Sequence, residues 1–213
     1  MTKIAVIDYD MGNLHSACKG LEKVGATPIV TDSAPVILDA QGIVLPGVGS
    51  FDPAIQHLRS RNLIQPIKDA IAQGMPFLGI CLGLQILFEK SGEGKEEGLG
   101  IFKGEVRSFQ SEPNLTIPHM GWNTMTKVQA NHPLWANLPP EPYFYFVHSF
   151  YVDPLDKAII AGEVTHGSQR VTGAVIRDNV MAVQFHPEKS ADAGLMVLKN
   201  FVEMVEGSCT HLL

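Results

Sequence analysis

Short apolar segments alternate with stretches of helical periodicity in the first half of the chain. Apolar side chains dominate residues 3–8, 28–31, 43–45 and 76–80. Such continuous runs are typical of strands that are buried on both faces of a sheet. Between the first two runs, apolar residues recur at helical spacing at Leu14, Ala17, Cys18, Leu21 and Val24. Repeated strand–helix units of this kind predict a parallel sheet with helices on both faces.

Turn and cap residues delimit the helices of this half. Gly12-Asn13 precedes the first helix, and Gly25 closes it. Asp52-Pro53 predicts the start of a second helix, because proline is favoured at the first helical position. Helical spacing continues over residues 63–71 and stops at Gly74, and a further helix is predicted over residues 82–90.

The pattern changes after a loop at residues 91–100 that is rich in glycine and glutamate. Segments with strand patterning, joined by short turns, follow at residues 105–109, 122–128, 143–152, 159–165, 172–176 and 180–185. A last helix is predicted over residues 192–206. Because no linker separates the halves, we expect one α/β domain over residues 1–207 with a mixed or antiparallel extension, followed by a C-terminal tail at 208–213.

Composition and charge exclude several classes of protein. The chain has 213 residues, of which 45% are hydrophobic and 18% charged, and this apolar content excludes intrinsic disorder. Its formal net charge is -6 and it contains no basic run, which argues against a nucleic-acid partner.

The chain also lacks membrane and secretory signals. Its most apolar stretch, residues 75–88, is shorter than the roughly 20 residues that a membrane span needs. The apolar run at residues 4–7 is too short for the core of a signal peptide. Its 3 cysteines form no Cys-x-x-Cys pair and favour a reducing compartment. We therefore expect a cytoplasmic protein with no membrane partner.

The segment Gly79-Ile80-Cys81-Leu82-Gly83 is the cysteine version of a nucleophile elbow. It follows a predicted strand and opens a predicted helix, whose N-terminus favours a thiolate. The Leu82 amide is then placed to donate to a developing oxyanion. The alternative is a buried cysteine in a tight core turn.

A base for this thiol is predicted at His186, which follows the strand at residues 180–185. Glu188 lies two residues further on, and residues i and i+2 of an extended segment point the same way. The carboxylate can therefore fix the imidazole tautomer, as in a Cys–His–Glu triad. The alternative is a strand-end histidine beside a solvated glutamate. Pro46-Gly47-Val48-Gly49, at another strand's carboxyl end, could supply a second oxyanion donor.

Taken together, these motifs resemble the class I (triad) glutamine amidotransferases. The resemblance covers most of the chain and rests on residues 46–49, 79–85 and 184–190, in this order and spacing. It implies a flavodoxin-like open sheet, mostly parallel and flanked by helices, with an additional antiparallel sheet in the second half. It also implies an enzyme that uses no metal and no cofactor.

The resemblance assigns roles to the motif residues. Cys81 attacks the side-chain amide of L-glutamine, His186 transfers protons and Glu188 orients His186. The amides of Val48 and Leu82 form the oxyanion hole, and water hydrolyses the γ-glutamyl thioester. The residues that it implies for binding glutamine are Gly47, Gly49, Gln85, Glu93, Ser149 and Phe150. For Glu93, the alternative is a solvated loop charge.

Three further stretches, at residues 8–13, 118–123 and 145–150, resemble the histidine-biosynthetic branch of this class, the glutaminase subunits of imidazole glycerol phosphate synthase. This implies a heterodimer with a (β/α)8-barrel cyclase subunit, to which ammonia is channelled. The interface residues that it implies are Asn13, Met120, Trp122, Tyr145 and Lys189. The alternatives are an exposed lysine and aromatic residues in the core of the second sheet.

The resemblance also suggests that the isolated subunit is a poor glutaminase. We hypothesise that the strand at residues 47–49 rests with an amide turned away from the oxyanion, since its glycines permit a peptide flip. Asp10 departs from the glycine that many members carry in the first turn, which leaves the conformation of that loop open.

Three other functions compete with this interpretation. A stand-alone cysteine hydrolase of the same fold would share the elbow but need no interface. A non-catalytic binding subunit would have lost a triad member, yet Cys81, His186 and Glu188 are all present. An amidotransferase subunit of another pathway is disfavoured by residues 118–123 and by Lys189.

Overall fold

The computed structural model describes residues 2–210, and of residues 209 and 210 it describes the backbone alone. Within this part of the chain the strands are β1 (Lys3–Ile7), β2 (Thr27–Thr31), β3 (Gly42–Leu45), β4 (Phe77–Ile80), β5 (Lys90–Ser91), β6 (Gly104–Ser108), β7 (His119–Lys127), β8 (Tyr143–His148), β9 (Phe150–Pro154), β10 (Ile160–His166), β11 (Gln169–Arg177) and β12 (Val180–Val183). The α-helices are α1 (Leu14–Lys23), α2 (Ala34–Asp39), α3 (Phe51–Ser60), α4 (Ile64–Ala72), α5 (Leu82–Gln85) and α6 (Ala191–Thr210).

Four strands from the first half of the chain and β12 from the second half form a parallel sheet in the order β2-β1-β3-β4-β12. Every neighbouring pair in this series is parallel. This order is that of the flavodoxin-like folds, in which functional groups collect beyond the carboxyl ends of the strands. The parallel sheet expected from the apolar runs is confirmed.

The second half extends the same sheet with antiparallel strands. From β12 the order continues β11-β10-β7-β8, and a branch adds β9, β6 and β5. Each pair along β12-β11-β10-β7-β8 is antiparallel. The expected antiparallel region is therefore present, and it is continuous with the parallel strands through the β11–β12 pair.

Two apolar layers cover the parallel strands. Alternate residues of β1 point to opposite faces, so that Ile4 and Val6 join one core cluster while Ala5 and Ile7 join the other. The first cluster contains side chains of α1 and α6, and the second contains side chains of α3 and α4. The apolar stripes of these helices thus bury both faces of the sheet.

The helix predicted over residues 82–90 is wrong beyond its first turn. Helix α5 ends at Gln85, although Ile86, Leu87 and Phe88 are fully buried. The carbonyl oxygens of Ile86 and Leu87 accept hydrogen bonds from the loop at residues 99–102 instead of from a further helical turn. Tertiary hydrogen bonds therefore replace the helix that the apolar run predicted.

The strand predicted over residues 143–152 is also wrong, because it is two strands. β8 pairs with β7, whereas β9 pairs with β6 and β11, so the chain changes its neighbours at Ser149. Periodicity carries no information about such a change of partner. Helix α2 was not predicted. It has 6 residues, of which only Ile37 is buried, so its sequence shows no apolar stripe of helical spacing.

The C-terminal helix α6 extends to Thr210, past the predicted end at residue 206. Residues 208–210 of the expected tail are therefore helical in their backbone. Residues 211–213 of this tail lie outside the described residues. Among the helices of residues 2–210, none is long and apolar enough to cross a membrane.

We expect Gly83→Ala to destabilise the protein strongly. Gly83 lies in the elbow, and a Cβ atom there would clash with the backbone carbonyl oxygen of Leu45. Because backbone cannot move aside as a flexible side chain can, we expect a loss of about 3 kcal/mol in the free energy of unfolding. Urea denaturation followed by circular dichroism measures this loss.

Gly207→Ala is the matched control. Gly207 lies in α6, and a Cβ atom there would meet nothing within 4 Å. We expect the same substitution to stabilise the helix by about 0.5–1 kcal/mol. Equal effects of the two alanines would contradict the steric argument.

Candidate active site

Four segments that follow parallel strands meet at the carboxyl edge of the sheet. Tyr9 follows β1, the loop at residues 46–49 follows β3, Cys81 follows β4 and His186 follows β12. The pairing Ile80↔Val183 sets β4 and β12 side by side, so that the chain beyond each strand enters the same region. The topology therefore brings together the nucleophile and the base predicted from the sequence.

Cys81 lies on a sharp turn between β4 and α5. Its backbone has φ 55 and ψ -107, a conformation that non-glycine residues seldom adopt. The Cys81 amide donates to the carbonyl oxygen of Val183 at 2.8 Å, and this bond holds the turn against β12. A Cβ atom at Gly79 would lie 2.8 Å from the carbonyl oxygen of Gly83, so the crowded turn requires both glycines.

His186 and Glu188 form a buried pair. Nδ1 of His186 lies 2.7 Å from Oε1 of Glu188, and both side chains are fully buried. Since an ionised carboxylate only accepts hydrogen bonds, Nδ1 carries the proton. Nδ2 of Asn13 donates to the same Oε1 atom at 2.5 Å and lies 3.4 Å from Nδ1 of His186, so it helps to hold the carboxylate beside the imidazole.

The charges around His186 favour its protonated form. Burial by itself lowers the pKa of His186, but hydrogen bonds with Cys81 and Glu188, together with the charges of these two groups, outweigh burial and raise the pKa to about 9. Nε2 of His186 is buried and has no hydrogen-bond partner of good geometry among residues 2–210. The imidazole is thus held by one nitrogen and presents the other to the pocket.

The two amides predicted for the oxyanion hole are both occupied. The Val48 amide donates to the carbonyl oxygen of Met11 at 2.9 Å, away from Cys81. The Leu82 amide donates at 3.3 Å to the carbonyl oxygen of Gly47. Since this carbonyl and the Val48 amide belong to one peptide group, a single peptide orientation accounts for both bonds. The amide of Val48 is therefore turned away, as hypothesised from the glycines.

A pocket of about 340 Å³ opens above Cys81. It is lined by Val48, Gly49, Cys81, Leu82, Gln85, Glu93, Pro118, Val147, His148, Ser149, Phe150 and His186. The structure thus gathers most of the predicted catalytic and glutamine-binding residues around one cavity. Glu188 lies behind His186, and Gly47 lies beneath the cavity against Tyr9 and Leu82.

Glu93 is held at the rim of this pocket. Its Oε2 atom accepts a hydrogen bond of 2.9 Å from the amide of Phe51, the first residue of α3. Asp52, next in the chain, accepts from the amides of Lys95 at 2.9 Å and Glu96 at 3.0 Å, and these backbone bonds lower the pKa of Asp52. The loop around Glu93 is therefore tied to the start of α3.

The residues predicted for a partner interface fall into two groups. Met120 and Trp122 are 62% and 52% exposed on β7, and the Trp122 ring contacts Tyr145 edge-on with centroids 6.2 Å apart. Lys189 is exposed directly after the His–Glu pair. Trp122 is thus not a core residue of the second sheet, whereas Asn13 contacts Glu188 inside the site.

Sequence reasoning gave no role to several residues of the site, among them Gln184 and Tyr9. Gln184 is fully buried and its Nε2 atom lies 3.6 Å from Sγ of Cys81. Its signals in the sequence were a polar side chain between apolar β12 and Phe185 and its place at the start of the motif at residues 184–190. Tyr9 is also buried, and its hydroxyl has no hydrogen-bond partner among the described residues. Burial raises the pKa of Tyr9, and the charge of Cys81 raises it further.

Comparisons with known proteins agree with this geometry. Residues 5–205 match the family described as glutamine amidotransferase class-I. The chain is 68% identical over 205 residues to imidazole glycerol phosphate synthase subunit HisH of Gloeothece citriformis (strain PCC 7424), covering 96% of this chain and 97% of that protein. It is 64% identical to the subunit of the same name from Synechocystis sp. (strain ATCC 27184 / PCC 6803 / Kazusa), covering 96% of this chain and 98% of that protein.

Solved structures agree on the fold. A putative GMP synthase subunit from Thermoplasma acidophilum has a TM-score of 0.74 at 19% identity and covers 100% of this chain and 98% of its own. PurLQS from Thermotoga maritima has a TM-score of 0.73 at 21% identity, with 95% and 98% covered. The fold class expected from the sequence is confirmed, and the chain belongs to the class-I glutamine amidotransferase family.

Proposed function

We propose that this protein is the glutaminase subunit of imidazole glycerol phosphate synthase, which hydrolyses L-glutamine and passes ammonia to a cyclase subunit. The observation that carries the glutaminase activity is the Cys81 thiol beside the buried His186–Glu188 pair in one pocket. The pathway is supported by relatives of that name at 62% and 68% identity over nearly the full chain.

Glutamine fits the chemistry of this pocket. The carboxylate of Glu93 lies at the rim, where it offers a charged partner to the α-ammonium group of an amino acid. The backbone at Gly49, Ser149 and Phe150 and the amide of Gln85 line the remaining walls. We assign these groups to substrate binding, with the substrate's side-chain amide directed at Cys81.

The reaction proceeds through two acyl transfers. The thiol of Cys81 gives its proton to Nε2 of His186, and the thiolate attacks the amide carbon, so that a carbon–sulfur bond forms while the carbonyl oxygen becomes an oxyanion. His186 gives its proton to the amide nitrogen, the carbon–nitrogen bond breaks and ammonia leaves. His186 then accepts a proton from water, which attacks the thioester carbon and releases glutamate and the thiolate. Glu188 keeps Nδ1 protonated so that Nε2 exchanges these protons.

In this proposal the oxyanion hole forms only after a change in the loop at residues 46–49. A flip of the Gly47–Val48 peptide turns the Gly47 carbonyl away from the Leu82 amide and releases the Val48 amide from Met11. Both donors then become free at once for an oxyanion. The described conformation is thus the resting one, and a ligand that favours the flipped peptide activates the enzyme.

The exposed face of β7 is the docking surface that we propose for the (β/α)8-barrel cyclase subunit. Met120 and Trp122 are large apolar side chains exposed side by side, with Tyr145 against the Trp122 ring and Lys189 exposed after the His–Glu pair. Aromatic residues and methionine are enriched at such interfaces. Docking there places the cyclase beside the pocket where ammonia is released, and a free thiol at Cys81 suits the reducing cytoplasm.

Glutamate release decides the proposed function. We expect the isolated chain to be slow, the complex with its cognate cyclase somewhat faster, and the complex with the cyclase's nucleotide ligand faster by orders of magnitude. Cys81→Ala should abolish glutamate release in every mixture, because Cys81 is the only cysteine among the described residues that line the pocket. Full activity without the cyclase would instead identify a stand-alone hydrolase. A stable complex that releases no glutamate would contradict the proposed glutaminase activity.

The pH profile tests the His186–Glu188 pair. The pKa of His186 is raised to about 9, so the imidazolium that protonates the departing ammonia persists below that pH and is lost as pH rises through it. Glu188→Gln removes the carboxylate that favours the charged imidazole, and we expect the alkaline limb of kcat/KM to move to lower pH with a smaller kcat. The profile is measured from pH 6 to 10 in the activated complex.

The matched control for this profile is Glu203→Gln, a change of the same kind at an exposed side chain of α6. We expect it to leave the alkaline limb where it is in the wild type. The assignment of the limb to His186 fails if Glu188→Gln leaves it unmoved.

Gly49→Pro tests the resting conformation. Gly49 has a φ of 109°, whereas proline restricts φ to about -65°, so the variant cannot adopt the described conformation of this loop. We expect the ratio of glutaminase rates with and without the nucleotide ligand to fall towards one, because the resting conformation is no longer available. An unchanged ratio, with a complex of normal affinity, would contradict the switch.

A further inference from the structure

Three polar side chains on β7 and β8 form an unbroken chain of hydrogen bonds that ends at the wall of the pocket. Nδ2 of Asn123 lies 3.1 Å from Nε2 of His119, and Nδ1 of His119 lies 2.9 Å from Nε2 of His148. Nδ1 of His148 in turn lies 2.8 Å from the carbonyl oxygen of Phe150. His119 and His148 are only 4% and 5% exposed.

The partners of this chain determine the position of every proton. The Thr165 carbonyl can only accept, and Asn123 Oδ1 accepts from the Thr124 amide, so Nδ2 of Asn123 is the donor to His119. His119 therefore accepts at Nε2 and carries its proton on Nδ1, from which it donates to His148. His148 also carries its proton on Nδ1 and donates it to the Phe150 carbonyl.

Both histidines are neutral in this arrangement. Burial lowers the pKa of His119 to about 4, with a further contribution from His166 stacked on its ring. Burial also lowers the pKa of His148 to about 3, assisted by the nearby imidazoles of His119, His166 and His186. A neutral imidazole donates with one nitrogen and accepts with the other, which is what each link of the chain requires.

The chain continues from the Phe150 carbonyl to the nucleophile. This oxygen also accepts from Nε2 of Gln85 at 3.2 Å, and the same nitrogen lies 3.1 Å from Oε1 of Gln184. Nε2 of Gln184 then lies 3.6 Å from Sγ of Cys81. The orientation of both glutamine amides at the pocket floor thus depends on the Phe150 carbonyl.

We propose that Asn123, His119 and His148 are a positioning relay that sets the backbone at Ser149–Phe150 and the amide of Gln85 for glutamine, and that links these groups to the docking face of β7. This inference rests on the proposed glutaminase function. Successive residues of β7 face opposite ways, so that exposed Met120 and Trp122 alternate with His119 and Asn123 of the relay. A partner that shifts β7 therefore shifts the glutamine pocket.

Nitrogen NMR of the full chain with 15N-labelled histidines tests the relay without any activity assay. Substitution of single histidines by glutamine assigns the signals of the 8 histidines. We expect His119 and His148 to stay neutral from pH 5 to 8 and to carry their protons on Nδ1, the less common tautomer. Protonation of either ring near pH 6.5, or a proton on Nε2 of either ring, would overturn the relay.

Kinetics of the activated complex test what the relay does. His119→Phe keeps a ring beside Phe146, on which His119 stacks with centroids 5.0 Å apart, but removes both hydrogen bonds. We expect the KM for glutamine to rise about tenfold with a smaller change in kcat. His119→Gln, whose amide can accept from Asn123 and donate to His148, should restore most of this loss.

Phe109→Leu is the control for packing alone. The Phe109 ring contacts the rings of both His119 and His148 but makes no side-chain hydrogen bond to them. We expect it to leave the KM within about twofold of the wild type. Three results would overturn the positioning role. These are an unchanged KM in His119→Phe, a KM in His119→Gln as high as that in His119→Phe, and an equal effect of Phe109→Leu. If the wild-type complex releases no glutamate, the proposed function fails, and the NMR measurement still decides whether the relay exists.

Discussion

The structure depends on the parallel pairing of β4 with β12. These strands are about a hundred residues apart in the chain, and their register Ile80↔Val183 places Cys81 and His186 beyond the same edge. The bond from the Cys81 amide to the Val183 carbonyl then holds the elbow in place although its backbone lies in a costly region, of order 1–3 kcal/mol. The surrounding sheet holds the turn in this strained conformation, which exposes the thiol of Cys81 to the pocket.

Burial of charge is the second constraint on this site. A carboxylate without partners would be expensive beneath the pocket, and Glu188 is stabilised there by His186 and by the amide of Asn13. Hydrogen bonds with Cys81 and Glu188, together with the charges of these two groups, outweigh burial, favour the imidazolium and so raise the pKa of His186. Cys81 follows β4, His186 and Glu188 follow β12, and Asn13 lies in the loop between β1 and α1, so the electrostatics of the site depend on three strands of the parallel sheet.

Local patterns were sufficient to predict much of this. The elbow at residues 79–83 and the triplet at residues 186–188 each carry their geometry in a few residues, and continuous apolar runs predicted the parallel strands. The break at Ser149 and the end of α5 at Gln85 were missed, because each depends on a strand or loop distant in sequence. Gln184 and His148 were missed for the same reason, since only the tertiary structure shows which atoms they contact.

The resting state that we propose for the loop at residues 46–49 follows from the need to satisfy buried polar groups. An empty oxyanion hole would leave the Leu82 amide without a partner, and the Gly47 carbonyl fills that need while Met11 accepts the Val48 amide. The described peptide is therefore stable because both of its groups are paired, and in the mechanism that we propose the flipped peptide becomes favourable only when other interactions replace these bonds. An enzyme built in this way holds its thiol and base ready, yet it delays hydrolysis until other binding events compensate for the bonds that the flip breaks.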